Sequence, residues 1–243
     1  FGCMLVMILY NLFIYISIRD KTYLYYISYI IFCTAFQAGI QGYSFEYFWP
    51  DNTWWANVNI PFFGGVALFF ATLFSRNVLD TKSLTPTFDK VLISISSVLF
   101  CTLPIMLLAD YKFGVILTVI VAFIFFNMVF FTAIICIVKG SRIAKMFTAA
   151  WSLFLVSGSI SMLAFTGILP PDFFNMHAMQ IGSAIEVVLL SIVLADRINY
   201  MEQEKTQLEA ESLRVLTQAN KHLEDSNRLK GEFIATISHE VRT

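Results

Sequence analysis

Phe113-Gly-Val-Ile-Leu-Thr-Val-Ile-Val-Ala-Phe-Ile-Phe-Phe-Asn-Met-Val-Phe-Phe-Thr-Ala-Ile-Ile-Cys-Ile-Val138 contains no Asp, Glu, Lys or Arg, and Lys112 and Lys139 bracket it. A bilayer's hydrocarbon core is about 30 Å thick and takes about 20 helical residues to cross. Hydrocarbon offers backbone amides no partner, so such a run must satisfy them internally, as a helix. Working outward, six further charge-poor runs of this kind appear: Phe1 to Ile18, Tyr23 to Phe45, Ile60 to Phe74, Val91 to Ala109, Met146 to Leu169, and Met176 to Ala195. The third is the shortest, and the polar but uncharged Thr53 to Asn59 is available to extend it. The expected fold is an all-α membrane protein, a seven-transmembrane helix bundle continuing into a long cytoplasmic coiled-coil helix.

Composition agrees. Of 243 residues 58% are apolar and 14% charged, and the mean hydropathy is +0.71, more apolar surface than one soluble core can hide. The net charge of −1 by itself argues neither for nor against nucleic acid, because the charges are sparse through Ala195 and dense after it; the lipid bilayer is the expected partner, and nucleic acid is not expected. Cys3, Cys33, Cys101 and Cys136 lie in apolar runs without metal-type spacing and read as small buried hydrophobes, not disulfides. The chain opens with Phe1, has no basic leader and no small-residue cleavage signature, and is expected to be a fragment cut at both ends.

Basic residues in short loops stay on the cytoplasmic side. Arg19, Lys21, Arg76, Lys82, Lys90, Lys139, Arg142 and Lys145 fall in loops on one side, against Lys112 alone on the other. The N-terminus is therefore expected outside and the C-terminal helix inside. Tyr47, Trp49, Trp54 and Trp55 read as anchors at the outer interface, and Tyr23, Tyr25 and Tyr26 as anchors at the inner one. Pro61 suits a helix's first turn and Pro170-Pro171 a helix end. The small pairs Ala35 with Gly39 and Ser157 with Ser161 have the spacing that lets helices approach closely.

Glu186 is the one ionisable Asp, Glu, Lys or Arg deep within a span, where a charge costs on the order of 3 kcal/mol, so it is a candidate for ligand or proton sensing, or for a hydrogen bond between helices. Gln37, Gln41, Asn57, Asn59, Gln180 and His177 gather toward the outer ends of their helices and line a polar funnel if those faces converge. The candidate ligand-binding set is Glu186, Gln37, Gln41, Gln180 and Asn59. His177 has no second ligand-type residue nearby, so no metal site is expected. A transporter is the competing reading of these membrane amides. A retinal protein would need a lysine in the seventh span, which has none.

Leu9-Tyr10-Asn11-Leu12, Arg19-Asp20, Tyr23 and Tyr26 early, with Gly182, Glu186, Ser191 and Leu194-Ala-Asp-Arg197 late, resemble one family: bacterial seven-transmembrane receptors with diverse intracellular signalling modules. The resemblance covers about residues 1 to 198. It implies a receptor of the bacterial inner (plasma) membrane, usually preceded by a β-rich extracellular ligand-binding domain.

From Asp196 to Thr243 there is no proline, and Gly231 is the single glycine, so one helix of about 48 residues spans about 70 Å. Leu213, Leu216, Asn220, Leu223, Asn227, Lys230, Ile234, Ile237 and Val241 step by three and four, a heptad seam that predicts a parallel homodimer through a cytoplasmic coiled coil. Ile198, Met201, Lys205 and Leu208 form an earlier run that meets this phase only through a four-residue stutter near Ser212. Asn220 and Asn227 would fix register at a cost in stability, which suits a device that switches packings.

The seam ends in Phe233-Ile-Ala-Thr-Ile-Ser-His-Glu-Val-Arg-Thr243, which resembles the H-box of the dimerisation and phosphoacceptor domain of sensor histidine kinases. The resemblance implies autophosphorylation of His239 from ATP and onward transfer to the aspartate of a response regulator receiver domain. It makes Glu240 the base that orients the imidazole and Thr243, one turn on, the residue that positions a phosphatase water. Arg242 is a candidate to stabilise the phosphoryl group, or a solvated surface arginine. No cofactor is expected on this fragment; ATP and Mg2+ are expected for the full-length kinase, which the fragment, lacking an ATP-binding domain, cannot replace. Residues 1–198 then form the receptor domain, 199–229 the signalling helix, and 230–243 the start of the phosphoacceptor domain. A different cytoplasmic output, such as a diguanylate cyclase, is the alternative on the same receptor.

Overall fold

The computed structural model describes residues 1–108 and 111–240, except the side chains of residues 225, 227, 229 and 232–240. Among the described residues every regular element is helical: α1 Gly2–Ile18, α2 Lys21–Ile40, α3 Tyr43–Tyr47, α4 Thr53–Val78, α5 Thr81–Leu84, α6 Pro86–Leu108, α7 Tyr111–Val138, α8 Arg142–Phe165 and α9 Phe173–Glu240. Six of these are long and apolar enough to cross a membrane, and the seventh apolar helix is the shorter α1. The protein is thus an all-α, multi-pass membrane protein with seven apolar helices. It divides into two units after Asp196.

In the first unit α4 is the most buried of the membrane-length helices and packs against α2, α6 and α7, while α1 lies on α2 and α8 on α7. Local chemistry sets most helix limits. Asp20 caps α2 by accepting from Thr22 N at 2.8 Å, Asn52 caps α4 through Trp55 N at 3.0 Å, and Asp172 accepts from Asn175 N at 2.8 Å at the head of α9. Gly42, Gly140 and Gly167, at φ 80°, 89° and 77°, supply the left-handed residues at which the chain leaves or enters helices. Arg76 in the last turn of α4 grips Asp89 in the first turn of α6 through two bonds, Nε to Oδ1 at 2.8 Å and Nη2 to Oδ2 at 3.0 Å. Thr81 Oγ1 adds a third at 2.6 Å, fixing the α4–α6 turn.

Several expected limits shift. The second span stops at Ile40 rather than Phe45, because Gln41-Gly42 breaks the helix and Tyr43–Tyr47 forms its own turn. The third runs the full Thr53–Val78, which places Pro61 inside α4 instead of in its first turn; its ring is the surface on which Gly114 of α7 rests. The sixth ends at Phe165, closed by Gly167, so Pro170-Pro171 lies in the connection to α9. Tyr23 and Tyr26 are buried, not interfacial. Cys33 and Cys136 are buried as expected, but Cys3 and Cys101 are exposed.

The second unit, from Arg197, is helical through Glu240 and passes Gly231 unbroken. Met201, Leu208, Leu213, Leu216 and Leu223 are all exposed on this single chain.

Candidate functional site

A buried polar seam joins α9 to α2 and α1. Ser183, Glu186, Val187 and Ser191 share one face of α9, since positions three, four and eight apart on a helix align. Tyr26, Tyr29 and Gln37 present the matching face of α2 in antiparallel order. Tyr26 donates its hydroxyl to the carbonyl of Val187. Tyr29 donates to Glu186, lying 3.1 Å from both carboxyl oxygens. Ser183 Oγ donates to Gln37 Oε1 at 3.3 Å, and Ser191 Oγ to Asn11 Oδ1 at 3.2 Å. Asn11 in turn donates to Met7 O at 2.8 Å.

Glu186 is 0% exposed, as are Tyr26 and Ser183. Tyr29, itself buried, has the buried Trp151 ring against it at 5.8 Å between centroids. Phe125, Phe126 and Phe147 pack around that indole. The carboxyl is therefore fully buried and held by one hydroxyl, that of a tyrosine whose ring packs on this aromatic cluster, an arrangement in which each polar bond is strong and each missing one expensive.

One turn before Glu186, α9 meets α8 at close range. A Cβ added to Gly182 would stand 1.8 Å from Ser157 Oγ and 2.3 Å from its Cβ. One turn on, Ser161 Oγ donates to Asn175 O at 3.1 Å and accepts from Met179 N at 2.8 Å. Gly39 of α2 likewise abuts α4, where its added Cβ would stand 2.7 Å from Asn59 Oδ1.

The candidate ligand residues separate into three places. Gln37, Gln41 and Gln180 converge on one crevice, walled by Ile40, Phe165, Met176 and Met179, of about 10 Å³. That volume is room for about one water molecule. Glu186 lies deeper, outside this lining, in the seam. Asn59 is elsewhere: its Nδ2 returns to Trp55 O and Ala56 O at 2.8 and 3.0 Å, and its buried Oδ1 has no partner among the described residues. Asn57 bonds its own helix at Thr53 O, and His177 stacks on Phe173. No group of metal-ligand residues occurs among the described residues. The side chains of His239 and Glu240, and all of Arg242 and Thr243, lie outside the described residues.

Sequence reasoning missed Tyr29, Ser183 and Asn11 as members of the seam. The signal was present, in polar residues spaced to share a face on both α2 and α9. No curated protein and no solved structure matches this chain. Residues 1–197 match the family described as 7TM diverse intracellular signalling, and with seven apolar helices and the α9 seam in the same span, the chain belongs to that family: its bundle is a membrane receptor domain linked to signalling.

Proposed function

We propose that this receptor is the input half of a sensor histidine kinase in the bacterial inner membrane, with its N-terminus outside and its C-terminus cytoplasmic. The observation that carries the reading is that one helix, α9, bears both the Glu186 seam and, in its final turns, the sequence resembling an H-box. A signal that alters the α2–α9 packing acts on a helix that ends beside the phosphoaccepting residue. The exposed Met201, Leu208, Leu213, Leu216 and Leu223 support a parallel homodimer, because a single strand leaves its apolar seam in water.

In this reading the signal enters at Gln37, Gln41 and Gln180. The crevice admits no ligand as it stands, so a ligand binds only by parting α2 from α9, and its binding energy then biases the seam. His239 accepts phosphate from ATP, Glu240 holds the other ring nitrogen, and Thr243 positions the water of the reverse reaction. Arg242 steadies the phosphoryl group, and a receiver aspartate takes it onward.

The test is direct. Full-length protein in native membranes, given γ-labelled ATP and Mg2+, should acquire acid-labile, base-stable label, and His239→Gln should acquire none. Equal labelling of both would end the histidine kinase reading and leave the receptor in search of another output.

A further inference from the structure

We propose that α7 is a contact surface for α7 of a second copy of this chain, keyed by Asn127 in the middle of the bilayer. Ile116, Ile120, Phe123, Asn127, Phe131 and Ile134 step along α7 by four and three, and all six are exposed. Apart from Phe131, whose ring meets Phe88 of α6 at 5.4 Å between centroids, this stripe makes no ring contact or hydrogen bond to another helix among the described residues. Asn127 lies less than one turn from the centre of Tyr111–Val138, where no water reaches a polar group.

Its amide is half satisfied. Nδ2 donates to Phe123 O at 2.7 Å, which uses one of two N–H groups, and among the described residues nothing donates to Oδ1. The exposed hydroxyls of the other helices differ. Ser94, Ser97 and Ser159 each return their single proton to the carbonyl four residues back and have no proton left to place. Lipid tails offer the Asn127 amide neither a donor nor an acceptor.

A suitable partner presents both, at the same depth, on a helix face of matching shape. A second copy does so by symmetry. Across a two-fold axis along the membrane normal, each Asn127 donates its free N–H to the other's Oδ1, so that two donors and two acceptors are satisfied together. The four-three spacing of the flanking apolar residues is the seam that packs two helices at a shallow crossing angle. A different membrane protein would need its own mid-bilayer amide in register. The contact lies wholly in the bundle and requires neither the cytoplasmic seam nor phosphorylation of His239.

The full chain in phosphatidylcholine vesicles tests this, with exposed Cys3 and Cys101 changed to Ser and the buried cysteines kept. Single cysteines are placed at Ile120 or Phe131 on the stripe, or at the exposed controls Phe13 in α1 and Val98 in α6, and oxidised with copper phenanthroline. Disulfide dimer should form several times faster at 120 and 131 than at 13 or 98. Asn127→Leu should lower that yield about three- to thirtyfold, the range of interhelical amide bonds in membranes, and Asn127→Gln should preserve it. Equal yields at all four sites, the result of a dimer held only by the cytoplasmic helices, would overturn the proposal. So would dominance of site 13 or 98, or an Asn127→Leu yield matching wild type. Should that variant fold poorly, the ranking of the four sites with Asn127 intact still decides.

Discussion

One hydroxyl serves both carboxyl oxygens of Glu186. Tyr29 Oη lies 3.1 Å from each, and no other side chain among the described residues donates to them. Tyr29→Phe keeps the ring against Trp151 and removes only that donor, leaving a fully buried acceptor unsatisfied at a cost of about 1–3 kcal/mol. The thermal midpoint in detergent should fall accordingly. Replacing both partners, Tyr29→Phe with Glu186→Leu, should recover much of the loss, because an apolar pair has nothing left to satisfy. A Tyr29→Phe protein that melts with wild type would show that the carboxyl finds another partner, and the seam would lose its centre. Glu186→Gln, which still accepts through its carbonyl oxygen, should be the mildest single change here.

At the scale of helices, the α8–α9 contact is set by atoms that leave no room. Gly182→Ala places a methyl 1.8 Å from Ser157 Oγ, so the two helices must separate or tilt, with an expected loss of about 1–3 kcal/mol. Adding Ser157→Gly exchanges which helix carries the small residue. The nearest remaining atom is then Leu153 O at 3.7 Å, an ordinary contact, and the double variant should melt close to wild type. Failure of the second change to rescue the first would mean that the close approach is incidental. This approach was foreshadowed by the Ser157–Ser161 spacing, but its partner was not, since spacing names a face and not what meets it. The seven apolar helices were legible because hydrophobic length is a one-dimensional property. Their ends were less so. Residues 41–45 carry no charge, so the charge-free run passes the break at Gly42 unmarked, and the polar Thr53–Asn59 hides the head of α4. The tyrosines misled most: Tyr23 and Tyr26 have the composition of interfacial anchors, and only packing shows that their rings are inside and that Tyr26 holds a carbonyl of α9. Glu186 stood out as costly, but its answer lay 157 residues away in Tyr29.

At the scale of the whole chain, the proposed relay requires that a change in the seam reach His239 through the phase of α9, and phase can be altered without touching either site. A helix turns about 100° per residue, so deleting Leu216–His222 sets Leu223 in the place of Leu216 and preserves the three-four stepping. Deleting Gln218–Ala219 swings everything beyond by about 200° and puts the later seam on the opposite face. In full-length protein in native membranes, Tyr29→Phe should shift basal labelling of His239, since it changes the relative stability of the seam's packings. That shift should persist in the seven-residue deletion and vanish in the two-residue deletion, where the label no longer depends on residue 29. Coupling is defined by this dependence and not by the absolute level of label, which both deletions are free to change. Were the Tyr29→Phe shift the same in both backgrounds, the signal would travel by some route indifferent to the facing of the helix, and the mechanical relay along α9 would have to be abandoned even if His239 still took the phosphate.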